Sequence, residues 1–331
     1  MQEAFKLLSL REEKQLSDKE LKVYYIKLRE YVLKRKTTNV TLGALTIAPK
    51  LKPMVNKIAT FLVKNMITKD AEWISDGNKD FPSGAVIFAH SHQGVLDNFV
   101  WIPEVDKHGL ILHQQEVSKL LIMSQLCTGL VLVKRSDKES RSNAKLDMIK
   151  LLLDGHSITY FPESTWNLSP NKLHLPLNYG VIDIAKKAQV PIIPVVHEYS
   201  FDTSSKKVKI TKVHSRYGDP IYVKEEDSLI EKLSQYEEAI STMRYELIEE
   251  KGVYKRLEIS NSDYINFMRF NFKNMQMGKI DMHNENNYIY GKTHDFYKFH
   301  HINDVPWDAW GEFCETDEVR RLKQINRLHG I

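Results

Sequence analysis

The chain has 331 residues, carries 47 Lys and Arg against 43 Asp and Glu for a net charge of +4, and is 42% hydrophobic, which predicts a large core and either two domains or one with extensions. Mean hydropathy is −0.40 and no run of 18 apolar residues occurs, so a transmembrane helix is not expected. The charged start (Glu3, Lys6, Arg11, Glu12, Glu13, Lys14) lacks the apolar centre of a secretory signal, and Cys127 and Cys314 follow neither metal nor redox spacing, so the expected compartment is the reducing cytoplasm.

The first predicted element is a helix over 18–36, with Ser17 or Asp18 as N-cap and Leu21, Tyr24, Tyr25, Leu28 and Val32 as its apolar stripe. A break rich in small residues follows. From Tyr31 to Lys69 there are eight basic residues (Lys34, Arg35, Lys36, Lys50, Lys52, Lys57, Lys64, Lys69) and no acidic one. Inside this segment, 50–67 reads as a basic amphipathic helix. Leu51, Val55, Ile58, Leu62 and Met66 form its apolar stripe, suited to a membrane interface or to packing on the protein's own core. DNA is the other usual partner of such lysines, but no nucleic-acid motif accompanies them.

Turn-forming residues crowd Asp76 to Gly84, which predicts a boundary. Beyond it strands and helices alternate. Strands are predicted at 85–90, 109–113, 129–133, 158–161 and 190–196. Helices are predicted to begin near Leu96 and to cover 117–126, 142–153 and 179–188. Near-continuous apolar strands separated by amphipathic helices predict an α/β fold with a mostly parallel sheet covered by helices on both faces. Short edge strands are expected at 207–210 and 221–223 and a long charged helix at 227–250. Residues 253–331 form an aromatic, histidine-rich extension with a last helix near 317–328. The expected division is therefore 1–75, helical with the basic helix; 76–225, the α/β domain; and 226–331, long helix plus extension.

In such sheets chemistry gathers where strands end. The first strand end carries His92 and, five residues on, Asp97. An imidazole titrates near pH 6.5, which suits proton abstraction near neutrality, and a carboxylate can fix its tautomer and raise its basicity. Lys134-Arg135 follows the third strand and Glu163-Ser164-Thr165 the fourth. A base, a cationic pair and a carboxylate/hydroxyl cluster at one rim point to proton abstraction from a hydroxyl beside an anionic group. His90, His92 and Asp97 also read as a metal half-site, but no third ligand follows at hydrolase spacing.

Four blocks in order make the chain resemble the glycerolipid acyltransferases, the family that includes 1-acylglycerol-3-phosphate acyltransferase. The family's N-H-x4-D is matched by Ser91-His92-Gln93-Gly94-Val95-Leu96-Asp97. Its arginine-ended strand is matched by 129–135, its F-P-E-G-T-R by Phe161-Pro162-Glu163-Ser164-Thr165-Trp166, and its V-P-I-x-P-V by 190–195. The resemblance covers roughly 80–220. It implies transfer of a fatty acyl group from acyl-CoA or acyl-carrier protein to a hydroxyl, with His92 as general base and Asp97 orienting it. It further implies that Lys134, Arg135, Glu163, Ser164 and Thr165 hold the acceptor, and it requires no metal or other cofactor. The implied setting is the inner membrane face, bound peripherally through the basic segment 31–69.

The chain departs from the family at three places. Trp166 replaces the final arginine of the third block, Ser164 its glycine, and Asn178 the lysine of the following F-K-x-G. Neither Trp nor Asn reproduces a charge-assisted fork to a phosphate, so the expected acceptor is something other than plain lysophosphatidate, unless Lys134, Arg135, Lys172 or His174 compensates. The same departures motivate two alternatives: a catalytically weak lipid- or carrier-binding protein of this fold, and a thioesterase.

Overall fold

The computed structural model describes residues 5–43, 52–93, 97, 109–114, 129–134, 136–164, 173–174, 177–201 and 210–250. The helices expected over 117–126 and 317–328, and the rest of the extension, lie outside these residues. After a single turn of helix, α1 (Leu10–Glu13), comes α2 (Asp18–Lys34). Ser17 caps α2 as expected: its hydroxyl accepts from the Glu20 amide, and the Glu20 carboxylate accepts from the Ser17 amide at 2.9 Å. Such a reciprocal box satisfies two otherwise unpaired N–H groups and contributes about 1 kcal/mol. Tyr24, Tyr25, Leu28 and Val32 are buried, the stripe the periodicity predicts.

The chain continues through β1 (Val40–Leu42), α3 (Lys52–Leu62), a π-turn (Val63–Ile67), β2 (Glu72–Gly77), β3 (Ile87–His90), β4 (Gly109–Gln114) and β5 (Gly129–Val133). Then follow α4 (Lys138–Leu153), β6 (Ser157–Tyr160), α5 (Gly180–Ala188), β7 (Ile192–Phe201), β8 (Ile210–Tyr217) and α6 (Leu229–Glu250). Eight strands form one sheet in the order β1-β5-β4-β6-β3-β7-β8-β2. Five of its pairings are parallel, and β1–β5 and β7–β8 are antiparallel.

The sheet is α/β and mostly parallel, as expected, but its margins correct the sequence reading. The boundary expected at 75/76 falls inside β2, and β1 also joins the sheet, so the first 75 residues are not purely helical. Of the edge strand predicted at 207–210 only Ile210 is among the described residues, and it begins β8, an interior strand between β7 and β2. Ile221 makes an isolated bridge to Ile192 rather than an edge strand.

One face of the sheet presents Ile87, Ala89, Leu110, Val131, Ile158, Tyr160, Ile192 and Val196 to a core shared with α2, α4, α5 and α6. The other face presents Val86, Phe88, Ile193, Val195 and Tyr217, packed against Ala59 and Val55 of α3. Within α3 the expected stripe is split. Val55, Ala59 and Val63 turn inward, whereas Met54, Ile58 and Phe61 are exposed in an outward ridge. Ile58 is thus exposed, whereas its expected partner Val55 is partly buried.

Register explains how the site is built. His90 ends β3 opposite Val195, but β7 runs six residues further, to Phe201, paired with β8 the whole way. Side chains alternate between the faces of a strand, so Val195, His197 and Tyr199 share the face of His90. The last two stand beyond the end of β3, where the chain turns toward His92.

Candidate active site

The apolar run of β3 delivers His90, Ser91 and His92 to the rim of the sheet. The Ser91 amide still bonds Val195 O at 2.9 Å, so the backbone remains strand-like past His90. His92 is placed by two carboxylates. Its amide donates to Oε1 of the buried Glu163 at 2.8 Å, and its ring Nδ1 lies 2.9 Å from Oδ2 of Asp97. The ring stacks on Phe161, with centroids 4.1 Å apart. With Nδ1 committed to Asp97, Nε2 is the nitrogen positioned to exchange a proton with a bound hydroxyl.

Asp97 is fully buried. Its Oδ2 accepts from the Gln93 amide as well as from His92, and its Oδ1 accepts from the Tyr199 hydroxyl at 2.5 Å. Burial alone drives a carboxyl up. Here the hydrogen bond from His92, with the His92 and His197 rings and Tyr199 adding to it, outweighs burial and holds Asp97 below its ordinary value. The group is therefore a carboxylate, ready to orient an imidazole and stabilise its protonated form.

Behind this pair lies a layer the sequence did not reveal. His90 Nδ1 sits 2.9 Å from His197 Nε2, and His197 Nδ1 sits 2.9 Å from Ser215 Oγ on β8. The Gln93 side-chain amide donates to the His197 carbonyl. Burial pushes His90 well below its ordinary value and His197 to about 4, so both rings are neutral. The signal for His197 and Tyr199 was present as alternation (Val195, His197, Tyr199), but the expected strand stopped at Val196, where the apolar run ends.

The other expected site residues are distributed unevenly. Glu163 follows β6 and turns Oε1 onto the His92 backbone amide, so that oxygen faces the protein rather than outward. Ser164 stands beside it in a left-handed conformation, φ 62°. Lys134 is exposed after β5, which is separated from β3 by β4 and β6. At about 4.8 Å per strand it begins roughly 14 Å along the rim from the base. Arg135, Thr165, Trp166 and Lys172 lie outside the described residues. His174, a candidate to replace a missing cation, points its Nε2 at Glu237 of α6, 3.3 Å away.

Asn178 has a structural task. Its Oδ1 accepts from the Gly180 amide at 2.7 Å and its own amide donates to Pro162 O at 2.8 Å, which starts α5 beneath the third block. A side chain at Gly180 would meet the Tyr160 hydroxyl at 2.8 Å and Asn178 Oδ1 at 2.9 Å, so a larger residue there would have to displace these two side chains.

Among the described residues one trio has metal-ligand geometry: Asp76, His214 and Glu250. Arg216 lies among them, bidentate to Asp76 at 2.8 Å through both nitrogens and 2.7 Å from Glu250. A guanidinium there supplies the positive charge a metal would bring, and the trio reads as an ion-pair network joining β2, β8 and α6. His90 bonds His197 and His92 bonds Asp97, so the two imidazoles of the H-x-H do not converge on one point.

Residues 73–198 match the family model described as Acyltransferase. Those residues form an acyltransferase-family domain. They contain β2 through most of β7, and with them His92, Asp97 and Glu163. Among solved structures, the 1-acyl-sn-glycerophosphate (LPA) acyltransferase PlsC from Thermotoga maritima is similar at 20% identity and a TM-score of 0.43, covering 72% of this chain and 86% of that one. A comparison with curated protein sequences finds no match. No helix among the described residues is long and apolar enough to cross a membrane.

Proposed function

We propose that the protein transfers a fatty acyl group from an acyl thioester, acyl-CoA or acyl-carrier protein, to a hydroxyl of a lysophospholipid-like or other lipid acceptor, with His92 as general base. The observation that carries this reading is the His92–Asp97 pair: an imidazole at the rim, its Nδ1 2.9 Å from a fully buried carboxylate. His92 Nε2 takes the proton of the acceptor hydroxyl as its oxygen attacks the thioester carbonyl. Asp97 stabilises the imidazolium that forms, and the imidazolium returns the proton to the departing thiolate. The thioester is already activated, so no protein nucleophile is needed. A positioned base of this kind contributes about 10²–10⁴ in rate.

The acceptor, in this reading, is not plain lysophosphatidate. Asn178, a neutral side chain, accepts from the Gly180 amide and His174 faces Glu237, so neither serves as the cation the family's pattern would supply. The ridge of Met54, Ile58 and Phe61 on α3, beside the exposed Lys57, supports peripheral attachment to an anionic membrane, with the inner face of the cytoplasmic membrane as its setting.

A screen of thioester donors against lysophospholipids, glycolipids and simple alcohols tests this, with His92→Ala and Asp97→Asn alongside. Wild type transfers acyl groups and His92→Ala falls by about 10³. Hydrolysis without transfer would favour a thioesterase, and equal rates for wild type and His92→Ala would end the proposal. Lysophosphatidate as best acceptor by a wide margin would refute the acceptor part alone. For attachment, flotation with anionic liposomes is expected to weaken in high salt and with Phe61→Ser; equal binding to neutral liposomes would count against it.

A further inference from the structure

Tyr199 lies outside the four blocks that carry the resemblance, yet its hydroxyl reaches the innermost atom of the catalytic pair. It stands on the overshooting half of β7, opposite Val213 of β8, and is 4% exposed. Its hydroxyl donates to Oδ1 of Asp97, while Oδ2 of the same carboxylate serves His92 Nδ1 and the Gln93 amide. We propose that Tyr199 is a positioning residue for the acyl transfer: its hydroxyl fixes the rotation of the Asp97 carboxylate and, by drawing on its charge, sets how strongly Asp97 raises the basicity of His92. This rests on the reading of His92 as general base.

The physical argument concerns a carboxylate in a dry site. Each oxygen of a buried carboxylate needs donors, and one left short is both mobile and more basic. With Tyr199 in place the donors lie on both oxygens, and the carboxylate plane is held with Oδ2 toward the imidazole. Without the hydroxyl, Oδ1 loses that donor. The carboxylate then holds the His92 proton more tightly, and its orientation is less firmly fixed. The groups around the pair set the background. His90 and His197 are neutral, Glu163 is tied to the His92 amide, and the Glu198 carboxylate is 3.0 Å from Arg244 of α6. Tyr236 of α6 donates to the Ala89 carbonyl. Burial, and next the neighbouring Asp97, keep the Tyr199 phenol protonated at any working pH, so it remains a donor.

Tyr199→Phe removes the oxygen and keeps the ring, so packing is largely retained. Two readouts separate positioning from structural support. The first is the titration of His92 followed by NMR with labelled histidine, its signal assigned by its absence in His92→Ala. Tyr199→Phe is expected to raise the midpoint by about one pH unit. The second is the pH profile of kcat/KM. Its rise should shift alkaline by the same amount, with kcat about tenfold lower and KM for the acceptor unchanged. A folded Tyr199→Phe whose His92 titration is unmoved would overturn the proposal, whatever its activity.

Should Tyr199→Phe fail to fold, 3-fluorotyrosine placed at 199 alone gives the converse test. Its more acidic hydroxyl donates more strongly and should move the His92 midpoint downward; no movement, or movement upward, would overturn the proposal. Because the titration needs no substrate, it stands apart from the function assignment. A wild type that transfers no acyl group to any acceptor would defeat that assignment, while the NMR shift would still decide whether Tyr199 sets the basicity of His92.

Discussion

Two buried polar clusters lie on opposite faces of the sheet, and they handle charge in opposite ways. Behind the face that packs α2, α4, α5 and α6, Lys187 lies fully buried against Glu13 at 2.7 Å and against Asp183, which also meets Lys145. The Tyr25 hydroxyl donates to Glu13 at 3.1 Å. Two cations and two anions balance there, and Lys187 and Lys145 outweigh burial to hold the Asp183 carboxyl below its ordinary value. At the rim on the other face, Asp97 carries its charge against an imidazole, a backbone amide and a phenol. The first cluster is complete at rest and ties the N-terminal segment to α4 and α5. The second has no lysine or arginine among the partners named, an arrangement suited to the proton transfer proposed for His92.

The contrast is broken most directly by removing one side chain from each cluster. His92→Ala should lower kcat by about 10³ and leave the melting temperature within a few degrees, since the ring is partly exposed at the rim. Lys187→Met should do the reverse. It strands Asp183 and Glu13 without their shared cation, at a cost of about 3–5 kcal/mol, while kcat per folded molecule at a permissive temperature stays at the wild-type value. Denaturant unfolding and active-site-normalised kinetics on both variants check this. A Lys187→Met protein with full stability, or with kcat reduced as far as in His92→Ala, would erase the distinction between the clusters.

The difference in charge handling also explains what could be read without coordinates. The central strands are runs of apolar residues buried on both sides, so 85–90, 129–133 and 158–161 were legible as strands, and His92 and Asp97 were legible from spacing alone. β2 was not. Glu72-Trp73-Ile74-Ser75-Asp76-Gly77 is polar, and what makes it a strand is its ladder with β8, a partner 140 residues away, not its own pattern. β8 itself was cut short because its polar members, His214, Ser215 and Arg216, have partners supplied by β2, β7 and α6. His197 and Tyr199 were lost for the same reason: a polar residue in a strand looks like the strand's end until the group that satisfies it is seen. Asn178 was read as a missing lysine, whereas its side chain has a local task in the turn before α5, where it accepts from the Gly180 amide.

Acid should separate the clusters in sequence. His197 is held near 4 and His90 well below its ordinary 6.5, so in this range the unfolded chain binds protons that the folded one does not. A group with a depressed folded value of this basic type leaves stability intact above about 6.5 and removes it as pH falls toward 4. For His197 alone the loss is on the order of 3 kcal/mol. Asp183 behaves as a depressed carboxylate: its contribution is present above its unfolded value of 3.8 and is lost only as pH falls through its lower folded value. Urea unfolding at pH 7.5, 6.5, 5.5 and 4.5 should therefore show declining stability before the ion-pair cluster titrates. His197→Gln should flatten that decline, and constant stability from 7.5 to 4.5 would show that the histidine layer is not buried as neutral rings.

The smallest expected effect lies at Ser164, where stability and binding pull against each other. A serine at φ 62° sits in the left-handed region, which a side chain makes unfavourable by about 1 kcal/mol and which glycine adopts freely. Ser164→Gly relieves that strain but also gives the unfolded chain more freedom, which offsets part of the gain. The net expectation is a stabilisation of about 0.5 kcal/mol, a rise of one to two degrees in the melting temperature for a chain of this size. The acceptor contact that the resemblance implies for Ser164 is tested by the same substitution. The acceptor KM of Ser164→Gly should then rise several-fold while kcat stays within a factor of two. Stabilisation with KM unchanged would leave the hydroxyl no part in binding and would place acceptor recognition elsewhere along the rim.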